Sequence, residues 1–485
     1  MPLTTDFSAS GRRLTRRAIM LPLAMSIALA SQAQGADLLN IANDALENDA
    51  SLASARASLQ STQESRDVAS GDLLPQLNAT GQVAHNQSYD RQETALTGAS
   101  QGSDDAYNSG SLALEASQAL YDAANARQVD QAESQIDQEA LSLVASEQQL
   151  LFDVSSAYFE ILRANDILAA RQAQERAISR QLEQASEQFE VGLIAITDVE
   201  EARASYDQAR AERITAQSDL EVSFEALERL TGKRYQSIES LSEDLPVELP
   251  TPTDRDEWVD MALEKSPLLK SAMAGVEVSR SSVEVAKAGR LPVVEAFANY
   301  NYGESDRDQV EGHDSSSQVG VRASLPLYTG GSTSAQIRQS TYTLAASQYD
   351  AEAQRRLTIQ QVRSLYTQVR NDVATVEARR QAVVSNRSAL DATRSGYEVG
   401  TRNIVDVLAA EQNLYDAISN LAVARYDYVL DKLELHQQAG TLDVQVLREL
   451  NAQLSEDQSV MLDVSEGSSG YDAMMEIGER PQPDA

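Results

Sequence analysis

Two rhythms alternate along this chain. Residues 332–395 contain neither Gly nor Pro, and within them Val362, Tyr366, Val369, Val373 and Val376 recur at steps of four and three. Leu414, Ile418 and Leu421 keep that rhythm; Arg425 interrupts it and Tyr428 resumes it. Leu151, Val154, Tyr158 and Ile161 repeat it in the first half. A 4-3 spacing lines apolar side chains into a coiled-coil seam. At about 1.5 Å per residue, the 64 residues of 332–395 make a rod of roughly 95 Å. Elsewhere the period falls to two. Val319, Val321, Ala323 and Leu325 alternate with Gln318, Gly320, Arg322 and Ser324. Val294, Ala296, Ala298, Tyr300 and Tyr302 alternate with Glu295, Phe297, Asn299 and Asn301. Weaker alternation occupies 77–85 and 112–120. Segments of about ten residues with one apolar face have the pattern of transmembrane β-strands; a soluble sandwich edge is the competing reading. Tyr121, Tyr300, Tyr302 and Tyr328 sit near strand ends, where interfacial aromatics are expected. The hydrophilic stretches 86–110 and 303–318 read as exposed loops.

The chain is duplicated. "FEVGLIAITDV" at 189–199 returns as "YEVGTRNIVDV" at 397–407. "ALENDASLASA" at 45–55 matches "ALEKSPLLKSA" at 262–272, and "LYDAA" at 120–124 matches "LYTGG" at 327–331. The order of parts is the same in both halves, which is the mark of an internal repeat. Behind each phrase's glycine lies a second run free of Gly and Pro, 193–231 and 401–439, each of 39 residues and each ended by glycine. A long helix, a glycine turn and a return helix form a helical hairpin, because Gly tolerates the left-handed angles of a tight helix end. Thr197 and Asp198, or Asn403 and Asp406, supply caps or first-turn charge for the returning helix. The expected division is a signal peptide at 1–33, a first repeat at 34–232, a linker in a belt around the rods at 233–260, a second repeat at 261–442 and a C-terminal segment at 443–485. Pro246, Pro250 and Pro252 break any long helix in the linker. From Ser455 onward the acidic composition reads as a disordered tail.

Four strands cannot close a membrane barrel, and an open edge cannot sit in lipid. Several copies must therefore share one barrel, eight strands from two chains or twelve from three. The N-terminus places the protein outside the cytoplasm: Arg12, Arg13, Arg16 and Arg17 precede the apolar run 18–30, and Ser31 and Ala33 mark a cleavage site. That run is too short to span a bilayer. The chain has no cysteine and only three scattered histidines, His85, His313 and His436, so thiolate chemistry is excluded and a histidine metal site is not expected. The net charge is −34, and removing the signal's four Arg and one Asp leaves about −37. Such a surface repels nucleic acid; it reads either as solubility in a salty habitat or as an acidic conduit favouring cations. No nucleophile elbow, P-loop or metal-ligand cluster points to an enzyme.

The chain resembles the TolC family of outer membrane efflux and secretion channels. The residues that carry the resemblance are "VGTRNIVDVLAAEQNLYDA" at 399–417, "VGLIAITDVEEARASYDQAR" at 191–210, "LPLYTGG" at 325–331 and "ARYDYVLDKLELHQQAGTL" at 424–442, within a match over about 36–452. The resemblance implies an α+β membrane protein, a long α-helical coiled-coil barrel joined to an oligomeric transmembrane β-barrel with four strands per chain. It implies a homotrimer in outer-membrane lipid that docks a periplasmic adaptor (membrane fusion) protein and an inner-membrane pump or ABC transporter, with no cofactor, metal or nucleic acid. By position, Asp406 forms a ring at the periplasmic aperture, and Tyr397 and Arg402 reach Thr197 and Asp198 in the closed state. Gly192, Leu193, Gly400 and Thr401 form the adaptor-docking tips. The family's second acidic residue, three positions after the ring aspartate, is Ala409 here, so strong block by trivalent cations is not expected. A trimeric coiled-coil adhesin stalk is the alternative; it explains the rods but not the paired strand segments. The cargo is not legible.

Overall fold

The computed structural model describes residues 36–93, 100–242, 246–306 and 312–461; the expected signal segment and residues 462–485 lie outside them. The repeat is visible element by element. The first half runs α1 (Leu38–Asn48), α2 (Ala50–Gly71), β1 (Gln76–Glu93), β2 (Ser100–Tyr121), α3 (Ala123–Glu190) and α4 (Ile196–Thr231). After β3 (Ser237–Leu241) the second half runs α5 (Arg255–Lys265), α6 (Pro267–Ala288), β4 (Val293–Ser305), β5 (Gly312–Ser324), α7 (Ser332–Glu398) and α8 (Ile404–Gln438), followed by α9 (Val444–Asn451) and β6 (Leu454–Met461). The long helices have 68 and 67 residues, and the return helices 36 and 35.

The 4-3 residues make the core. Leu151, Val154, Tyr158, Ile161, Val362, Tyr366, Val369, Val376, Leu414 and Tyr428 are buried, and Val373, Ile418 and Leu421 are partly so. Full burial of each large side chain contributes roughly 1.5–3 kcal/mol. Helix α3 packs on α2 and α4, and also on α6 and α8; α7 packs on α6 and α8. The helices thus form one row, α2/α4, then α3, then α6/α8, then α7. The shorter helices of each pair meet end to end. At the α8–α6 joint Gly440 has φ +72, and a Cβ there would lie 2.6 Å from the Lys265 carbonyl, so only glycine permits the approach.

All four strands of the main sheet are antiparallel, in the order β1-β2-β4-β5. Leu77, Ala116, Ala298 and Val319 form one apolar rung, while the next, Asn78, Glu115, Asn299 and Gln318, is polar. On the polar face Arg322 Nη2 lies 2.8 Å from Glu295 Oε2. The strands have 18, 22, 13 and 13 residues, longer than the ten expected, and they run through much of the two stretches read as loops. The reason is that ladder hydrogen bonds join backbone to backbone and continue where side chains turn polar; alternation marks only the apolar band.

A second sheet pairs β3 with β6, and Ala36 bridges to Ile238. The expected tail therefore does not begin at Ser455: β6 continues to Met461, held by pairing with β3 and by the burial of Val460. Tyrosines tie β3 and the segment that follows it to the rods. Tyr158 Oη donates to Glu239 O at 2.6 Å and Tyr428 Oη to Glu248 O at 2.8 Å, and Tyr366 Oη donates to Thr253 O. Trp258, wholly buried, donates Nε1–H to Pro252 O at 2.7 Å.

Candidate functional site: the paired hairpin tips

Both copies of the repeated phrase end their helix in one way. Gly192 N–H donates to Phe189 O at 2.9 Å and Leu193 N–H to Gln188 O at 2.8 Å; Gly400 N–H donates to Tyr397 O at 2.9 Å and Thr401 N–H to Gly396 O at 2.8 Å. With φ of +75° and +76° at the two glycines, this is the Schellman arrangement, which closes the last free carbonyls of α3 and α7. The helix α7 passes through Gly396 and ends at Glu398, just before the expected turn at Gly400. A Cβ at Gly396 would lie 2.8 Å from Arg402 Cγ, so its missing side chain lets the turn fold back over the helix.

The returning helices start differently. Asp406 N–H donates to Asn403 Oδ1 at 2.8 Å and Asn403 N–H to Asp406 Oδ2 at 3.4 Å, a reciprocal capping box. At the first tip the N-cap is Ala195, with no side-chain bond; Asp198 supplies first-turn charge and Thr197 lies inside α4.

The residues expected at the aperture gather at one end of the row. Tyr397 Oη donates to Gln188 Oε1 at 2.9 Å and so joins the second tip to α3. Burial, then the charge of Asp198, raises the Tyr397 pKa. Within the chain Arg402 pairs with Asp406, at 3.8 Å. Leu193 is exposed beside Gly192, and Thr401 beside Gly400. Gln188 was not singled out from sequence, because it lies one residue before the repeated phrase.

Farther along, the α3–α8 seam is held by polar contacts. Arg163 pairs with Asp427 at 3.1 Å, Tyr426 Oη donates to Asp166 at 2.9 Å, and Arg171 reaches Asp416 at 2.8 Å and Glu212 of α4 at 3.2 Å. Among the described residues no helix is long and apolar enough to cross a membrane, and no acid or histidine cluster is arranged to hold a metal. On the sheet, Leu77, Val83, Val319 and Val321 are exposed on one face, as on the outward face of a membrane strand.

Two blocks of this chain, residues 41–233 and 258–441, match the outer membrane efflux protein family. The chain belongs to that family. Outer membrane protein TolC of Vibrio cholerae is 35% identical over 90% of this chain and 98% of its own length. Alkaline protease secretion protein AprF of Pseudomonas aeruginosa is 34% identical over 61% of this chain and 62% of its own. The solved structure of CusC, described by its transmembrane channel formation, superposes with a TM-score of 0.71 at 18% identity, over 83% of this chain and 92% of that one. This efflux-family protein is an outer membrane channel, and its helical rods extend into the periplasm as a tunnel for export. The strands are its membrane part, and the hairpin tips lie at the far end of the rods.

Proposed function

We propose that three copies close into one channel, twelve strands above and a ring of paired helices below, with the hairpin tips as its periplasmic aperture. The observation that carries this reading is that sheet and helix row end in open edges on the same two sides. Among the described residues β1 and β5 lack an outer neighbour, and α3 is flanked along its length by α2/α4 and α6/α8, while its counterpart α7 has α6/α8 on one side and beyond them only the short α5. By the repeat, the missing neighbour of α7 is α2/α4 of the next copy. Tyr342 and Tyr349 stand exposed on α7, and the same seven-residue step continues through Arg356, Arg363 and Arg370, of which Arg356 pairs with Glu352 of its own helix and Arg363 with Asp256 of α5. A seven-residue stripe is the pattern of a helix awaiting a partner.

In this assembly Asp406 recurs around the axis, and a ring of like charge at a narrow point favours cations. Arg402 is held in its own chain by one loose, exposed ion pair, worth about 1 kcal/mol at most, so little holds it back from Thr197 and Asp198. Tyr397 and Arg402 with Thr197 and Asp198 are the closing contacts. Gly192, Leu193, Gly400 and Thr401 receive the hairpins of a periplasmic adaptor, which joins the tunnel to an inner-membrane pump or ABC transporter. Residues 1–33 are removed on export, 233–260 link the two repeats within the belt, and selectivity for cargo resides in the pump. The test is single-channel conductance in a planar bilayer. Arg402→Ser is expected to raise it and Asp406→Ala to lower cation preference. Unchanged values for both would remove the aperture reading.

A further inference from the structure

Two turns into α8 lies a carboxylate wholly cut off from water. The Glu411 side chain is 0% exposed. Arg394 Nη2 of α7 lies 2.6 Å from its Oε1, and Gln181 Nε2 of α3 donates to the same oxygen at 3.3 Å. The other carboxylate oxygen, and Arg394 Nε, have no hydrogen-bond partner. The nearby Tyr415 has its pKa raised by burial and then by the charge of Glu411, with Arg394 and, on α3, Arg180 and Arg176 acting the other way. One side chain thus touches both helices of its hairpin and the long helix of the other hairpin.

The duplication does not account for it. At the 208-residue offset of the two tips, the counterpart of Glu411 is Arg203, whose partner Glu200 is on its own helix at 3.9 Å. The counterpart of Arg394 is Ser186, which donates to Leu182 O within α3. This cluster belongs only to the seam where α7, α8 and α3 meet. A buried carboxylate is tolerated only while a cation neutralises it, and removing that cation leaves a charge that water alone can satisfy. Moving the second hairpin away from α3 admits water to Glu411. The energy of this pair is therefore tied to whether the tips are together or apart.

We propose that Arg394 and Glu411 form a charge clasp that lets the second hairpin stay seated on α3, Arg394 acting as the positioning residue that keeps the closed tip compatible with a buried carboxylate. The clasp rests on the aperture reading above and adds to it a control point away from the tip contacts. An unneutralised Glu411 drives the hairpins apart; a neutral residue at 411 removes the need for Arg394.

The test is conductance in planar bilayers of the full channel, with oligomer assembly followed by heat-modifiable gel mobility. Arg394→Gln is expected to raise conductance by about twofold or more, as the population moves toward open tips. Adding Glu411→Gln to the same chain is expected to return it toward the wild-type value. Loss of the arginine's packing alone would not be rescued in this way. A rise with no rescue overturns the clasp. No rise in Arg394→Gln, while Arg402→Ser still raises conductance, overturns the clasp and leaves the aperture standing. No rise in either overturns both. Where Arg394→Gln blocks assembly, recovery of the oligomer in the double variant supports the clasp, and continued failure overturns it.

Discussion

At Gly192 and Gly400 the chain turns through nearly the same angle, yet the residues four positions on meet different fates. Ile196 is 49% exposed and its counterpart Ile404 is 2% exposed. Helix α4 stands at the edge of the row with α3 on one flank, whereas α8 lies between α3 and α7. Ile404 and Leu408 accordingly join Ile178, Ala185, Val199 and Ala202 of the first hairpin in one apolar cluster. The hairpins diverge deeper down as well. Asp372 of α7 stands beside Asp431 of α8, where the first hairpin has buried Ala164 and Ser223 at the equivalent positions. A duplicated phrase repeats its backbone faithfully, while its side chains answer to whichever helix arrives on the third side.

The largest test of this comparison is truncation of the paired isoleucines. Ile404→Ala is expected to destabilise its tip by about 2–4 kcal/mol, and Ile196→Ala by less than about 1 kcal/mol. Hydrogen exchange of amides in the first turns of α8 and α4 reads both, and equal losses would break the argument from position. Next come the glycines. Gly192→Ala and Gly400→Ala each force a side chain into the left-handed region at a cost of about 1–2 kcal/mol. The two costs should agree; a clear inequality in exchange protection would show that the tips do not share their strain.

A smaller effect sharpens the difference in caps. Asn403→Ala should cost about 1 kcal/mol by opening the capping box, and Ala195→Asn should add up to a similar amount at the uncapped tip. If Ala195→Asn leaves protection of α4 unchanged, the first tip cannot use a cap. The smallest expected effect is on pH. Burial, then the facing carboxylates of Asp431 and Asp427, pushes Asp372 up to about 7. Asp427 and Glu434 of α8 are also raised by burial, and Glu160 and Arg163 of α3 face Asp427. The folded state therefore holds the Asp372 proton more tightly than an unfolded chain, where the pKa is about 4. Its stabilisation is complete below that value and is lost as pH rises through about 7. Exchange protection along α7–α8, corrected for intrinsic rates, should fall from pH 5 to pH 8 while α3–α4 changes less. Asp372→Asn should abolish the difference, and a persistent fall would assign it to other groups.

Much of the architecture was legible because its signals are local. The 4-3 residues of α3 and α7 face their return helices, and glycine marks both turns. The strands were legible only across their apolar band, since pairing beyond it needs no side-chain alternation. The start of the tail was misplaced because β6 is held by β3, more than two hundred residues away. Asp406 and Arg402 were visible in the repeated phrase. Gln188 and Glu411 were not, because neither breaks a local pattern and each matters through a helix it meets in space.

The sequence by itself determined two rods per repeat, the glycine turn that folds each back, four alternating strands and the duplication that orders them. These follow from backbone angles and side-chain periods, which act over a few residues. Only the tertiary structure decided which tip is buried and which carboxylate loses its water. Gln181 meets Glu411 across 230 residues of chain through the register of three packed helices. A single apolar seam records one packing partner for each helix, and α8 meets more than one.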